Sequence, residues 1–445
     1  MHDRPTEGPS SAPSAGAELP AQVRDLVQPR GALGVAFPAY DGRSLPNVAT
    51  SVVLALGGQP PSAAMPPLAP AVDPFRGGRA EGPVFLFVVD GLGYERLRLR
   101  GRRGGGAVAR DWIAHAAPIT SVFPTTTTVA LASLSTATSP SRHGLVGYRQ
   151  FLPQFGAVVD VLRMSPHGVA QDDALLGPAW TPSVVLGAPT IFREGVPDAV
   201  AVSRDRFEGR GFTRMIYDGA AYEAYATSSD LADALVHVLG RPSPPPLVVG
   251  YWDELDAIQH LRGPDAASVD LELDRLASVL DFVARSVGPK AARATTVLVT
   301  ADHGLVPAEP ARQTWVDTEP TIADHLALPP TGDRRVGLLK ARTGEVDALR
   351  EAVLERMPAG TRVLASAEAV HGGLFGPPPY HPELFERVTD LVVLVPSPGG
   401  ITFTLPGRKR PRRSLLGAHG GLEAEELVVP LVSGPLEQFR LPGTD

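Results

Sequence analysis

Apolar residues in this chain gather into short continuous runs separated by stretches of helical spacing. Val84-Phe-Leu-Phe-Val-Val89, Pro246-Leu-Val-Val-Gly-Tyr251 and Thr295-Thr-Val-Leu-Val-Thr300 lack the polar alternate positions of a half-exposed strand. Such runs are expected of strands buried on both faces of a parallel sheet. Between the last two, 269–287 places Leu271, Leu276, Leu280 and Val283 at helical spacing, which predicts a helix crossing from one strand to the next. Helices are also predicted over 48–56, 94–99, 129–136, 252–261 and 345–357. Strands alternating with helices predict an α/β fold, a doubly wound and mostly parallel sheet with helices on both faces.

Gly and Pro number 46 each, so many turns should separate short elements. Residues 1–25 read as a disordered tail, because the first twenty positions lack aromatic residues, Val and Ile. Residues 30–445 read as one domain. Within it 150–245 and 310–385 look like insertions, the second expected to form a small α+β subdomain around its own helix. The glycine-rich 100–106 reads as a flexible loop.

Charge and composition then exclude whole classes. Lys and Arg total 41 against 48 Asp and Glu, a net charge of −7, which does not suit bulk binding to nucleic acid or anionic membranes. Cysteine is absent, so thiolate metal sites, disulfides and thiol nucleophiles are excluded. The opening residues hold no apolar leader segment, and no apolar run is long enough to span a bilayer. The expectation is a cytoplasmic protein without a stable nucleic-acid or membrane partner.

Asp90, Asp256 and Asp302 each follow the carboxyl end of a predicted strand, the edge where ligands bind in open α/β sheets. Any one of them alone reads as a helix cap. His260 lies four positions after Asp256, one helical turn away on the same face, and His303 adjoins Asp302. His419 sits in Gly417-Ala-His-Gly-Gly421, where glycines permit close backbone approach. His371, in Val370-His-Gly-Gly373, mimics that motif but precedes a proline-rich turn instead of an apolar run. Imidazole and carboxylate without sulfur suit zinc, with manganese as the alternative. In Ser121-Val-Phe-Pro-Thr-Thr-Thr-Thr-Val-Ala130, threonines open a predicted helix whose N-terminus favours anions. The plain reading there is a threonine-rich cap; beside a metal, a hydroxyl becomes a nucleophile.

The order Asp-Gly, Phe-Pro-Thr-x-Thr, Tyr-x-x-x-x-Asp-x-x-x-His-x-x-Gly-Pro, Ala-Asp-His-Gly and Gly-x-His-Gly, over about residues 82–430, resembles the alkaline phosphatase superfamily. Within it the chain is most similar to the type I phosphodiesterase/nucleotide pyrophosphatase family. The resemblance implies a phosphoric ester hydrolase with two divalent metal ions and a phosphorylated small-molecule or nucleotide substrate. Asp90, Thr127, Asp302 and His303 match the ligands of one ion, and Asp256, His260 and His419 those of the other. Thr127 matches the nucleophile, a register set by His143-Gly144; a one-residue shift would place it at Thr126 or Thr128. The family's phosphoryl-binding Asn is replaced by Tyr148, which reads equally as a phenolic donor to substrate or as packing. Asn47 is the only Asn in the chain.

Other functions remain open at this level. A phosphomonoesterase would share every ligand, a phosphotransferase or mutase would need an acceptor site, and a non-catalytic binding protein would retain the fold alone. The arginines at 96, 98, 100, 102 and 103, and the run Arg408-Lys-Arg-Pro-Arg-Arg413, read as solvated surface or as a rim attracting polyanions. Tyr217, Tyr222 and Tyr225 read as packing or as a stacking platform for a base.

Overall fold

A computed structural model describes residues 19–102, 107–403 and 414–442. The expected tail lies mostly outside these residues. Its end is helical, Ala21–Val27, with Val23 and Leu26 buried in a cluster that includes Tyr94 and Val428.

The strand Val84–Val89 is buried at every position. Leu247–Trp252 pairs with it in parallel on one side and Thr296–Thr300 on the other. Beyond Leu247–Trp252 lie Val200–Arg204 and then Ala221–Tyr225, both parallel. Beyond Thr296–Thr300, Val428–Pro435 runs antiparallel, and Ala116–Thr120 runs antiparallel to it in turn. The central sheet is therefore seven-stranded and mostly parallel. Its continuous apolar strands exist because helices such as Ala267–Ser286 and Ser228–Leu239 bury apolar stripes against it.

Two sequence expectations change. The stretch 150–245 is not wholly an insertion, since Val200–Arg204 and Ala221–Tyr225 are central-sheet strands. Their ordinary mix of Ala, Ser, Arg and Tyr hid them from an apolar-run criterion. The expected loop from residue 100 is helical as far as Arg102. Arg100 there bonds Asp270 and donates to the carbonyls of Pro264 (2.8 Å) and Ala266 (3.1 Å).

A second seven-stranded sheet draws strands from two places, Arg149–Leu152 through Ser165–Pro166 and Thr331–Gly332 through Leu391–Leu394. Arg335 joins it to the central sheet, bonding Glu423 (2.5 Å) and Glu426 (3.2 Å) just before the strand Val428–Pro435. Such buried ions persist only when paired. Among the described residues, no helix is long and apolar enough to cross a membrane.

Candidate active site

Three adjacent parallel strands carry Asp90, Asp256 and Asp302 to one sheet edge. Neighbouring strands lie about 4.8 Å apart, so residues just past their carboxyl ends must converge. Two antiparallel steps bring Ala116–Thr120 back to the same direction, which places the helix Thr127–Thr136 at that edge too. Gly91, at φ +79°, turns the chain where a side chain would strike Leu305 and Asp256.

The helix Glu254–Arg262 puts Asp256 and His260 on one face, His260 Nε2 lying 3.3 Å from Asp256 Oδ1. His260 Nδ1 meets the carbonyl of Gly417 at 2.8 Å, and His419 Nδ1 meets that of Thr125 at 3.0 Å. Each carbonyl accepts the Nδ1–H and leaves Nε2 as a lone-pair donor, the orientation a metal ligand requires. Asp256, His260 and His419 offer ligand atoms within 4.8 Å of one another; so do Asp90, Asp256 and His303. Asp302 Oδ2 lies 3.4 Å from His303 Nε2, and the rings of His303 and His419 stack at 3.8 Å. All six Asp and His candidates thus form one cluster.

The four threonines have distinct places. Thr125 Oγ1 donates to the carbonyl of Gly421 and accepts from the N–H of Gly420, fixing the His419 loop. Thr126 Oγ1 is buried without a partner. Thr128 Oγ1 donates to the carbonyl of Gly147. Thr127 Oγ1 lies 3.2 Å from His303 Nε2. It is half-buried, whereas Asp302 and His303 are fully enclosed. Only Thr127 among the four joins the cluster.

The electrostatics suit cations. Burial, then the charges of Asp302 and Asp256, push the Asp90 carboxyl well above its ordinary range. Burial pushes Asp256 to about 6, against the opposing effect of His260. Burial also pushes Asp302 to about 6, against the neighbouring Asp90 carboxyl and the hydrogen bonds from the N–H groups of Gly91 and His303. His303 is lowered by burial to about 3 and His419 falls well below its ordinary value, so both are neutral at pH 7. Asp90 Oδ1, Asp256 Oδ1 and Asp302 Oδ2 are buried oxygens without hydrogen-bond partners. Orphaned carboxylate oxygens converging with neutral imidazoles are costly as they stand and fit divalent metal ions.

Sequence reading missed Tyr251, which donates its phenolic hydrogen to Asp90 from the neighbouring strand Leu247–Trp252. It also missed Asp333, whose Oδ2 lies 3.7 Å from His419 Nδ1. Tyr251 stood in the Tyr-x-x-x-x-Asp motif as a signal. Asp333 stood beside Arg334 and Arg335 at the mouth of an apolar strand.

The remaining candidates sort by contact. Tyr148 is half-buried and follows Gly147, whose carbonyl accepts from Thr128; burial, then Asp160, raise its phenol above the ordinary range. Asn47 caps its own helix and donates to the carbonyls of Tyr40 and Pro66, so it is committed to structure. His143 also stays outside the cluster, bonded to Ser133 (2.8 Å) and accepting from the N–H of Leu145. This ties the 145–148 loop to the threonine helix. His371 packs against Phe385 and Tyr380 away from the site. Tyr222 and Tyr225 donate to the carbonyls of Arg204 and Tyr251, and Tyr217 packs on Phe192. Arg96, Arg98 and Arg100 pair with Asp265, Glu95 and Asp270. Arg103 and the 408–413 run lie outside the described residues.

The profile of the family "Type I phosphodiesterase / nucleotide pyrophosphatase" matches residues 84–422. No curated protein sequence matches the chain. Among solved structures, murine ectonucleotide pyrophosphatase/phosphodiesterase 5 is similar at 19% identity and TM-score 0.59, over 78% of this chain and 87% of that one. An inactive form of that murine protein in complex with AMP gives TM-score 0.60 at 19% identity, over 80% and 88%. Phosphonoacetate hydrolase from Sinorhizobium meliloti 1021, with phosphonoformate, gives TM-score 0.57 at 18% identity, over 82% and 92%. At these identities the likeness to each structure is one of fold.

Proposed function

Since the chain belongs to the type I phosphodiesterase/nucleotide pyrophosphatase family, and is a phosphoric ester hydrolase on that account, we propose that it cleaves phosphodiesters or nucleotide pyrophosphates through Thr127. The observation carrying this is the position of Thr127 Oγ1, half-buried and 3.2 Å from His303 Nε2, in a cluster of orphaned carboxylate oxygens.

Asp90, Thr127, Asp302 and His303 would hold one divalent ion, and Asp256, His260 and His419 the other. When bound, the ions, zinc by the character of their ligands, supply positive charge that lowers the hydroxyl pKa and neutralises phosphoryl oxygens. Thr127 Oγ1 then forms a bond to phosphorus while the bond to the opposite ester oxygen breaks, and the departing alcohol or phosphate takes up a proton. The backbone N–H groups of Thr127 and Thr128 donate to no backbone carbonyl among the described residues. They are free to hold the phosphoryl oxygens at the helix N-terminus. Water next attacks the phosphothreonine, restoring the hydroxyl and releasing the second product. Tyr148 takes the place of a phosphoryl-binding amide as an O–H donor beside the helix.

A hydrolysis screen tests this reading. Metal-loaded protein should release p-nitrophenol from p-nitrophenyl phosphodiesters or cleave nucleoside triphosphates. Thr127→Ala should lower turnover at least about a thousandfold, the range lost when a nucleophile is removed, while still binding metal. Undiminished turnover in that variant would refute the nucleophile.

A further inference from the structure

Among the described residues, Arg334 is a cation without an ion-pair partner. It follows Asp333 in the turn that sets the second sheet against the active site. Gly332 pairs with Arg149 across strands, and a side chain on Gly147 would come within 2.9 Å of Gly332. Tyr148 and Arg149 therefore lie alongside Asp333 and Arg334. Asp333 is in turn 3.7 Å from His419.

Arg149 is largely committed. Its Nε donates to Asp160 at 3.0 Å and its guanidinium lies 4.5 Å over the Phe403 ring. Arg334 has no such arrangement. Its backbone N–H donates to Asp333, but among the described residues no hydrogen bond or ion pair engages its guanidinium. Burial, then the adjacent Arg149, favour loss of its charge, while Asp333 and Tyr148 oppose them. Unpaired, partly buried cations are rare because desolvation goes uncompensated.

The side chain lines a cavity of about 160 Å³ with Gln313, Trp315, Thr402 and Ser414. Backbone hydrogen bonds link the wall of that cavity at Ala308 to the helix that carries His260. The N–H of Leu416 donates to the carbonyl of His260 at 2.8 Å, and the carbonyl of Leu416 accepts from Ala308. The space admits a phosphate or carboxylate with a few carbons, and is too small for a nucleoside.

We infer that Arg334 binds a second anionic group of the substrate, so that the preferred esters carry a phosphate, phosphonate or carboxylate besides the scissile phosphoryl group. Arg334 is then a specificity residue, and the claim rests on the hydrolase reading above. A charge-assisted hydrogen bond is worth roughly tenfold to hundredfold in binding.

Three p-nitrophenyl phosphodiesters test it, with ethyl, 2-carboxyethyl and 2-phosphonoethyl as the second ester group. For metal-loaded wild type, kcat/KM for at least one anionic ester should exceed that for the ethyl ester tenfold or more. Arg334→Gln should collapse that ratio toward one, and Arg334→Lys should restore part of it. Which anionic ester leads identifies the group. Equal rates for all three in wild type, or a ratio that survives in Arg334→Gln, overturns the inference. Calorimetric binding of the same esters gives a readout independent of turnover. If wild type hydrolyses none, the hydrolase reading fails, while an anion preference in binding that Arg334→Gln abolishes still supports the subsite. No preference in binding refutes it.

Discussion

Replacing Asp302 by Asn should stabilise the metal-free protein while weakening its hold on metal. Asp302 is fully enclosed, and burial holds its carboxyl near 6, against an ordinary 3.8. A raised carboxyl costs nothing below pH 4, where it is protonated in both folded and unfolded chains. The cost grows between pH 4 and 6 and is complete above, because the unfolded chain ionises first. A displacement of roughly two pH units at about 1.4 kcal/mol each comes to on the order of 3 kcal/mol. Asn keeps the useful atom: Oδ1 still accepts from the N–H groups of Gly91 (3.1 Å) and His303 (2.8 Å). The atom exchanged, Oδ2, is the one without a hydrogen-bond partner. For a chain of this length, an unfolding entropy of about 2 cal/mol/K per residue converts the gain into a rise in Tm of about 3 °C. Thermal unfolding in chelator, followed by circular dichroism at pH 8 and pH 4.5, reads both the gain and its pH dependence. A lower Tm at pH 8, or a gain of equal size at pH 4.5, would refute the reasoning that burial of this carboxylate strains the site.

Tyr251→Phe removes the hydrogen bond that orients Asp90, and should weaken metal binding about tenfold to hundredfold, as loss of outer partners does elsewhere; a competition titration with a chromophoric chelator measures it. Arg335→Met leaves buried Glu426 without its cation and should cost about 3–5 kcal/mol, read as a lower midpoint in urea with activity retained below the transition. Tyr148→Phe should lower kcat about tenfold to hundredfold without changing metal content, if its hydroxyl serves the phosphoryl group as proposed; unchanged kcat assigns Tyr148 to packing.

The strands that position the site were legible because a parallel sheet demands the unbroken apolar runs found before Asp90, Asp256 and Asp302. Those runs say where each of these aspartates stands relative to a strand end, and strand adjacency does the rest. Val200–Arg204 and Ala221–Tyr225 were not legible, since a sheet margin tolerates Ser, Arg and Tyr. Nor was the second sheet's recruitment of Arg149–Leu152, which depends on pairing across some 180 positions. Motif order named the cluster residues, and spacing alone put Asp256 and His260 on one helical face. The contacts of Asp333 and Arg334 escaped because they arise from the packing of Gly147 on Gly332, a tertiary closeness that leaves no local pattern. The threonine run shows both sides. Its position at a helix start was readable, but only the folded chain separates Thr125, which holds the His419 loop, from Thr127, which faces His303.

Metal content by mass spectrometry, on wild type and on two variants, tests the central claim most directly. Wild type should carry two divalent ions per chain, zinc foremost. His303→Ala and His260→Ala should each carry one, because each removes a ligand from a different half of the cluster. Wild type without stoichiometric metal, or variants that both keep two ions, would contradict the account of a pair of cations caged at this sheet edge.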